Sequence, residues 1–334
     1  MPADHRLHVA VDAMGGDGGF QVAVDGATLA LASDTDLELT LVGDEVKLRR
    51  ALDSLDAGLQ SRIHFSASES VLPVDVGTAH ALRHGRGSSM QLALELVTEG
   101  RAKAAVSAGN TGALMALARQ TMGMLPGIER PALMTAIPSA RNPVWVLDLG
   151  ANVGVDAHRL LEFARLGNFA VKVIEQRAPR IGLLNIGHEP SKGPDVVREA
   201  ARLISAERSL DYAGFIEANE VFAGTVDLVV CDGFVGNVLL KGAEGLVKLL
   251  FEQVKSEIGH GPAAWFAGRR LRRLHDRLDP ARHNGAPLLG VRGTVIKSHG
   301  GACARAFAAA IGLAALEARR NLIRELEQQL WASY

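Results

Sequence analysis

The chain is poor in cysteine. Its 334 residues include two cysteines, Cys231 and Cys303, too few for the disulfide framework that stabilises many secreted domains. Residues 1–8 are polar and lack the apolar segment of a secretory signal. The sequence also has no run of about 18 apolar residues that could span a bilayer; the closest, 302–318, carries Arg305 and Glu317. Together these absences predict a cytoplasmic protein.

The chain is also poor in aromatic residues and has almost no net charge. Aromatic residues make up 4% of it, and its formal net charge is −1. Because no overall charge attracts it to nucleic acid, we expect no nucleic-acid partner. Small and aliphatic residues are abundant instead: 48% of the chain is hydrophobic, and it contains 36 glycines. This composition favours an α/β protein in which helices pack closely on a sheet.

Short apolar runs alternate with amphipathic runs along most of the chain. Continuous apolar runs are typical of parallel strands that are buried on both faces. Without an internal repeat or a linker, residues 1–334 are predicted to form a single three-layer α/β/α domain around a mostly parallel sheet. The predicted strands are 8–11, 37–42, 63–66, 104–107, 133–137, 144–147, 180–184, 228–231 and 294–296, and the helical runs include 20–31, 114–122, 158–168, 194–205, 238–251 and 302–318.

Five loops that follow predicted strands are rich in Gly, Asn and Asp. In a parallel sheet such junctions lie at the carboxyl edge, where ligands bind. Glycine lets backbone N–H groups approach a ligand, asparagine supplies neutral donors, and Lys192 supplies a cation. We therefore expect one crevice that binds an oxyanion such as phosphate. The loops are residues 12–19, 107–112, 148–152, 185–193 and 232–237.

These loops do not carry a nucleotide signature. None has the P-loop sequence G-x-x-x-x-G-K-[ST], and no G-x-G-x-x-G lies where a dinucleotide fold needs it. The histidines and cysteines are not spaced as metal ligands are. Scattered carboxylates could hold Mg²⁺, but they more often brace loops by accepting N–H bonds. We predict no cofactor and no metal, with that bracing role assigned to Asp12, Asp17, Asp148 and Asp232.

Three further residues allow two readings each. Cys231 ends an apolar strand, so it is more typical of a small buried residue than of a nucleophile. Lys192 could be an ordinary solvated lysine rather than a phosphate ligand. His299 follows the β-like run 294–296 and could either donate to a ligand or cap a loop.

Six segments share a pattern with a known family. They are VDAMGGD at 11–17, SAGNTGA at 107–113, DLGAN at 148–152, NIG at 185–187, DGFVGN at 232–237 and IKSHG at 296–300. Together they resemble the bacterial acyl-carrier-protein:phosphate acyltransferase family, the PlsX family of phospholipid synthesis, from about residue 8 to residue 320. The resemblance implies an isopropylmalate-dehydrogenase-like fold shared with phosphotransacetylases, a homodimer, and transfer of a fatty acyl group from the carrier-protein thioester to inorganic phosphate. A membrane glycerol-3-phosphate acyltransferase would use the acyl phosphate product.

The implied reaction needs no protein nucleophile, because phosphate itself attacks the thioester. The protein must position phosphate and stabilise the tetrahedral oxyanion with N–H donors. We predict that Lys192 neutralises phosphate, that Asn237 donates to the oxyanion, and that His299 is a candidate proton donor. The predicted phosphate- and substrate-binding residues are Asp12, Gly15, Gly16, Asp17, Asn110, Thr111, Gly112, Asp148, Asn152 and Asp232.

Four alternatives to this reading remain open. A covalent route through Cys231 is the alternative chemistry for the same transfer. A phosphate acetyl- or butyryl-transferase that uses coenzyme A is the alternative enzyme. A dehydrogenase of the isopropylmalate type lacks an NAD signature, and a non-catalytic membrane scaffold would not need five polar loops at one edge.

Residues 245–279 interrupt the alternation of strands and helices. Two helical runs flank the turn at 259–262, which predicts a projecting helical hairpin. Its apolar face suits a partner subunit. Its tip, with six arginines against two aspartates between 262 and 282, suits an anionic membrane surface, with the acidic carrier protein as another candidate. The predicted contact residues are Trp265, Phe266, Arg269, Arg270 and Arg273.

Overall fold

A computed structural model describes residues 6–53, 55–258 and 284–331 of the chain. Within these ranges, 11 strands form one sheet, and all nine predicted strands are among them. The strands are β1 (Leu7–Asp12), β2 (Leu37–Gly43), β3 (Ile63–Ala67), β4 (Ala104–Ser107), β5 (Ala132–Ile137), β6 (Val144–Leu147), β7 (Arg180–Leu184), β8 (Asp211–Ile216), β9 (Leu228–Val230), β10 (Ala286–Leu289) and β11 (Thr294–Lys297).

Helices cover both faces of the sheet. Val9 and Val11 of β1 pack in one layer with Phe307, whereas Ala10, between them, packs in the opposite layer with Leu94 and Leu114. This confirms the three-layer prediction. The helices within the described ranges are α1 (Gly19–Ser33), α2 (Glu45–Leu52), α3 (Ala57–Gln60), α4 (Thr78–His84), α5 (Ser89–Thr98), α6 (Thr111–Met122), α7 (Ala157–Glu175), α8 (Asp195–Ala206), α9 (Ala218–Ala223), α10 (Gly233–Ile258), α11 (Ala304–Arg319) and α12 (Leu322–Trp331).

The order of the strands explains where ligands can bind. Along the sheet it is β3-β2-β1-β4-β11-β10-β5-β6-β9-β7-β8. The first five strands are parallel to one another, and so are the last four. Between them, β10 and β5 pair antiparallel with each other and with their outer neighbours. The two parallel sets therefore run in opposite directions, and the prediction that all the polar loops share one edge is wrong.

The register of the central strands nevertheless brings two of the carboxyl ends together. Lys297, the last residue of β11, pairs with Ala286 of β10. Asp148, which follows β6, accepts a hydrogen bond from the N–H of Leu133, and Leu133 pairs with Leu288 of β10. These levels differ by two residues of β10, or about 7 Å along the strand. Loops from the two sets thus meet over the centre of the sheet.

Two strands of the sheet do not appear in the sequence prediction. β8 lies at an edge, is largely half-buried and contains Gly214, so it lacks a continuous apolar run. β10 has four residues, one of which is Pro287, and proline within a run argues against a strand. Both strands form because long-range pairing supplies partners that local sequence does not show.

The first helix of the predicted hairpin is present as the end of α10, which continues without a break from the sheet. Its turn and its second helix lie outside the described residues, as do the predicted contacts Trp265, Phe266, Arg269, Arg270 and Arg273. Across the ranges that the structure describes, no helix combines the length and apolar character needed to cross a membrane.

Candidate active site

A cavity of about 1010 Å³ lies where the loops of the two strand sets meet. Its volume is at the upper end of the range of about 300–1,000 Å³ that is typical of small-molecule sites. One wall is a face of α10, which contributes residues three or four positions apart, as expected for one side of a helix. These residues are Asn237, Leu240, Lys241, Glu244, Val247 and Lys248.

Lys297 is the buried cation of this cavity. Its ammonium group donates to the backbone oxygens of Ser298 and Ala108, the latter at 3.4 Å. Because an ammonium has three N–H donors, one remains for a ligand. Burial lowers the pKa of Lys297 to about 8; Asp12 and Asp17 oppose this effect, whereas Lys241 adds to it. The pKa of this lysine therefore lies well below that of a free lysine, although two carboxylates favour its charged form.

Lys241 and His299 form a second basic group on the cavity wall. The Nε2 atom of His299 lies 3.0 Å from the Nζ atom of Lys241, and its Nδ1 atom accepts the N–H of Gly301 at 3.0 Å. Partial desolvation and the charge of Lys241 lower the pKa of His299, which favours the neutral ring. In that ring the proton sits on Nε2. Two donors then face each other, and Lys241 also donates to the Oε2 atom of Glu244 at 2.8 Å. A bound anion would share these donors with that carboxylate.

The first polar loop, residues 12–19, contacts Gly300, the residue after His299. The N–H of Asp17 donates to the oxygen of Gly300 at 2.8 Å. Gly16 has φ +88°, and a Cβ atom there would lie 2.9 Å from the same oxygen, so a side chain would be excluded by both strain and space. Asp12 is buried and accepts the hydroxyl of Ser107 at 2.6 Å. A Cβ atom on Gly15 would lie 2.8 Å from the Asp12 carboxylate.

The structure therefore places this loop beside the cavity rather than in its lining. Asp12, Gly15, Gly16 and Asp17 do not contribute to the cavity wall. The bracing role predicted for Asp12 and Asp17 stays a prediction. Their charges also raise the pKa of Lys297, against the larger effect of burial.

A buried carboxylate anchors the start of α10. Asp148 is fully buried and accepts five N–H groups, from Leu133, Leu149, Ala151 and, through both backbone and side chain, Asn152. Burial raises the pKa of Asp148, although these hydrogen bonds oppose the effect. Fixed in this way, Asp148 and Asn152 shape the loop on which the helix rests.

Two glycines allow α10 to approach that loop closely. A Cβ atom on Gly236 would lie 2.0 Å from the backbone oxygen of Asp148, and one on Gly233 would lie 2.4 Å from the backbone oxygen of Asn152. Asp232 caps the turn by accepting the N–H groups of Val155 and Phe234 at 2.9 and 2.8 Å. This close approach sets the position of Asn237, which follows Gly236 in α10.

Asn237 is exposed and lines the cavity one helical turn before Lys241, on the same face of α10. A Cβ atom built on Gly150, which has φ +106°, would lie 3.8 Å from its Oδ1 atom. Among the described residues, no hydrogen bond engages its amide. The side chain can therefore donate to a bound ligand.

The second polar loop contributes less than the sequence predicts. Asn110 caps α6: its Oδ1 atom accepts the N–H of Ala113 at 3.0 Å, and its Nδ2 atom donates to the oxygen of Val74 at 2.9 Å. Its amide is thus engaged at both ends. Thr111, the first residue of α6, lines the cavity, whereas Gly112 packs near Thr78 and does not.

Lys192 and Cys231 lie outside the cavity lining. Lys192 is exposed in the loop after β7, and β9 separates that strand from β6 in the sheet. Cys231 is buried behind the loop of Asp148, and burial strongly raises the pKa of its thiol. Neither position favours contact with a ligand in the cavity, so Lys192 is not brought together with Asn237 and His299.

Two functional candidates were missed by the sequence analysis. Lys297 stands in the quoted segment IKSHG and ends a predicted strand, a position that could have marked it as a ligand of the carboxyl edge. Lys241 lies four residues after Asn237, which places both on one face of a helix. The helical spacing after the DGFVGN segment was therefore the available signal.

Much of the remaining cavity lining is apolar. Hydrophobic side chains come from β5, its following turn, three helices and the loop after β11, and Glu244 and Lys248 of α10 also belong to the lining. The apolar residues are Leu133, Ala136, Ile137, Pro138, Phe222, Leu240, Ala243, Val247, Ala302 and Ala306. A ligand that combines an anionic group with an apolar chain would match such a lining.

Comparison with known proteins assigns the chain to a family. Residues 7–325 match the family described as "Fatty acid synthesis protein". The chain belongs to this family. A relative from Shewanella halifaxensis, named phosphate acyltransferase, is 43% identical over 331 residues, which cover 97% of each chain. The resemblance found in the six sequence segments is thereby confirmed.

Solved structures with low sequence identity share the fold. A phosphotransacetylase from Streptococcus pyogenes matches with a TM-score of 0.62 and 18% identity over 94% of each chain. A 4-hydroxythreonine-4-phosphate dehydrogenase from Klebsiella pneumoniae matches with a TM-score of 0.57 and 14% identity, covering 94% of this chain and 99% of that one. These likenesses confirm the predicted fold class and extend no further, because one fold hosts many reactions.

Proposed function

We propose that this protein transfers a fatty acyl group from the thioester of an acyl carrier protein to inorganic phosphate. The observation that carries the proposal is one cavity that combines basic side chains with a largely apolar lining. Lys241, Lys297 and His299 suit phosphate, and the apolar lining suits an acyl chain. The family and its phosphate acyltransferase relatives support the same reaction.

The geometry suggests how the reaction proceeds. Phosphate, held by Lys297 and by the pair of Lys241 and His299, attacks the thioester carbonyl carbon. The carbonyl oxygen becomes an oxyanion, for which the amide of Asn237 in the cavity wall is the donor. The C–S bond then breaks and the carrier-protein sulfur leaves as a thiolate, a weak enough base to depart without a proton. His299 keeps its predicted role of candidate proton donor in its protonated form, after it has taken the proton that phosphate loses. The role predicted for Lys192 falls to Lys297 in this scheme.

One assay tests the proposed reaction. Palmitoyl-carrier protein is mixed with enzyme, with and without phosphate, and free thiol and hydroxylamine-sensitive acyl phosphate are measured. We expect both products to form in proportion and only with phosphate. Thiol release that does not depend on phosphate would contradict the proposal, and a preference for acetyl-coenzyme A would instead support a phosphotransacetylase.

The exposed stripe of α10 supports a proposal about assembly. Leu246, Leu249, Leu250 and Val254 are between 36% and 57% exposed, although they recur at the spacing of one helical face. We propose that this stripe packs against a second copy of the chain. The basic tip around Trp265 and Phe266 would then contact the inner face of the membrane, where a glycerol-3-phosphate acyltransferase could receive the acyl phosphate.

Two double variants separate these contacts. We expect Leu246→Ser with Leu250→Ser to convert a dimer into a monomer, because the apolar stripe no longer gains from burial; light scattering after gel filtration measures the mass.

We expect Trp265→Ser with Phe266→Ser to keep the dimer but to lose co-sedimentation with anionic vesicles. A dimer that survives the leucine changes, or vesicle binding that survives the aromatic changes, would refute the corresponding contact.

A further inference from the structure

Three neighbouring strands place potential metal ligands together at the amino end of the sheet. His8 of β1 pairs in register with Glu38 of β2, and His64 of β3 pairs with Thr40. Because alternate residues of a strand share a face, all four side chains lie on the same side of the sheet. One ligand atom from each of His8, Glu38 and His64 lies within 4.8 Å of the others.

The spacing of these atoms is close to that of a tetrahedral metal site. The Oε2 atom of Glu38 lies 3.1 Å from Nε2 of His64 and 4.0 Å from Nδ1 of His8. With metal–ligand bonds of about 2.0–2.1 Å, neighbouring ligands of a tetrahedral site are about 3.3 Å apart. Small side-chain rotations would therefore bring all three ligand atoms onto one ion.

A supporting hydrogen bond orients His8. Its Nε2 atom lies 2.6 Å from the Oγ1 atom of the buried Thr40. When Nε2–H donates to that hydroxyl, Nδ1 carries a lone pair that faces the Glu38 carboxylate. Nδ1 and the carboxylate oxygen are then two acceptors with no proton between them. Metal-bound histidines are commonly held by such a hydrogen bond from the second ring nitrogen. Arg6 occupies the other carboxylate oxygen, Oε1 of Glu38, at 3.0 Å.

We propose that His8, Glu38 and His64 bind a divalent cation of the Zn²⁺ type. Two imidazoles and one carboxylate suit Zn²⁺ and similar transition ions rather than Mg²⁺ or Ca²⁺, which prefer oxygen ligands. His64 is half-exposed, so solvent reaches the ion and completes its coordination. The site joins β1, β2 and the edge strand β3. It lies apart from the cavity, since His8 precedes Asp12 by four residues, about 13 Å along β1.

The test uses the full chain after dialysis against a chelator. We expect calorimetric titration with ZnCl₂ to show a saturable event that is weakened at least tenfold in His64→Gln and in Glu38→Gln. Zinc should raise the thermal midpoint of the unaltered protein and should not raise that of the variants, because the ion binds the folded state. Titration with MgCl₂ should show no such event.

A matched variant controls for histidines elsewhere. His80 and His84 of α4 also lie close together, with ring centroids 4.4 Å apart, but no carboxylate among the described residues completes a three-ligand cluster there. His80→Gln should therefore keep the affinity of the unaltered protein. Equal zinc affinity in the unaltered protein, His64→Gln and Glu38→Gln would overturn the proposal, as would the absence of a saturable event. Circular dichroism verifies that each variant is folded.

Discussion

Replacing Lys297 with methionine is expected to reduce turnover by about 10²–10³, the usual cost of removing one preorganised donor of this kind. The physical reason is the loss of the buried cation that faces the cavity, while the side-chain volume stays similar and the fold is kept. Steady-state kinetics with palmitoyl-carrier protein and phosphate measure the change. The largest effect should be seen in kcat if Lys297 acts mainly on the charge that develops in the transition state.

Lys192→Met is the matched control. Lys297 ends β11 and lines the cavity, whereas Lys192 lies in the exposed loop after β7, outside the cavity lining. Its replacement should leave turnover close to that of the unaltered enzyme. If Lys192→Met lost activity and Lys297→Met did not, the assignment made from the sequence would be right and the one made from the cavity wrong.

The pH dependence of the unaltered enzyme follows from the same lysine. Since burial lowers the pKa of Lys297 to about 8, the charged form is present below that pH and is lost above it. We therefore expect kcat/KM, which reports the free enzyme, to fall as the pH rises through about 8. In Lys241→Met, one neighbouring positive charge is absent, so the fall should move to higher pH. An unmoved profile would show that another group sets it.

Replacing Gly236 with alanine is expected to destabilise the fold by about 3 kcal/mol and to reduce activity by about 10². The added Cβ atom would lie 2.0 Å from the backbone oxygen of Asp148 and 2.9 Å from Sγ of Cys231. Neither the backbone of this tightly bonded loop nor the buried thiol can move aside at low cost. The start of α10 must shift instead, and Asn237 shifts with it. Chemical denaturation and the acyl transfer assay measure the two effects.

Gly242→Ala offers a control on the same helix. A Cβ atom there meets nothing within 4 Å, and alanine is favoured over glycine inside a helix by about 1 kcal/mol. This variant should therefore be as stable as the unaltered protein or more so, with its activity kept. Equal behaviour of the two variants would mean that the close approach of α10 to the Asp148 loop has no energetic importance.

The sequence predicts the layers of this fold well because its strands are buried on both faces and its loops are rich in glycine. It does not reveal that the two parallel sets run in opposite directions, since that depends on β10, a short strand whose apolar run is interrupted by Pro287. The same limit explains why the sequence favours Lys192 over Lys297 as the phosphate ligand. Lys192 lies in a glycine-containing loop after β7, and only the strand order shows that β9 separates β7 from β6.

Within the candidate site, the backbone-supporting residues were easier to predict than the ligand-facing ones. Glycines and aspartates such as Gly16 and Asp148 leave a local signal because tight loops require them. For Lys241 the only local signal is its helical spacing from Asn237, and it faces the cavity because α10 is anchored at Gly233 and Gly236. The proposed zinc ligands were still harder to predict, because His8, Glu38 and His64 come from three strands that are far apart in sequence.

The continuous course of α10 has a consequence for communication between the cavity and the proposed dimer contact. The helix has 26 residues, so it is about 39 Å long. Asn237 and Lys241 are near its start, and the exposed leucines follow in its second half. One rigid element therefore carries both the cavity side chains and the surface that a second copy of the chain would cover. A change at that surface that tilts the helix would move Asn237 and Lys241 with it.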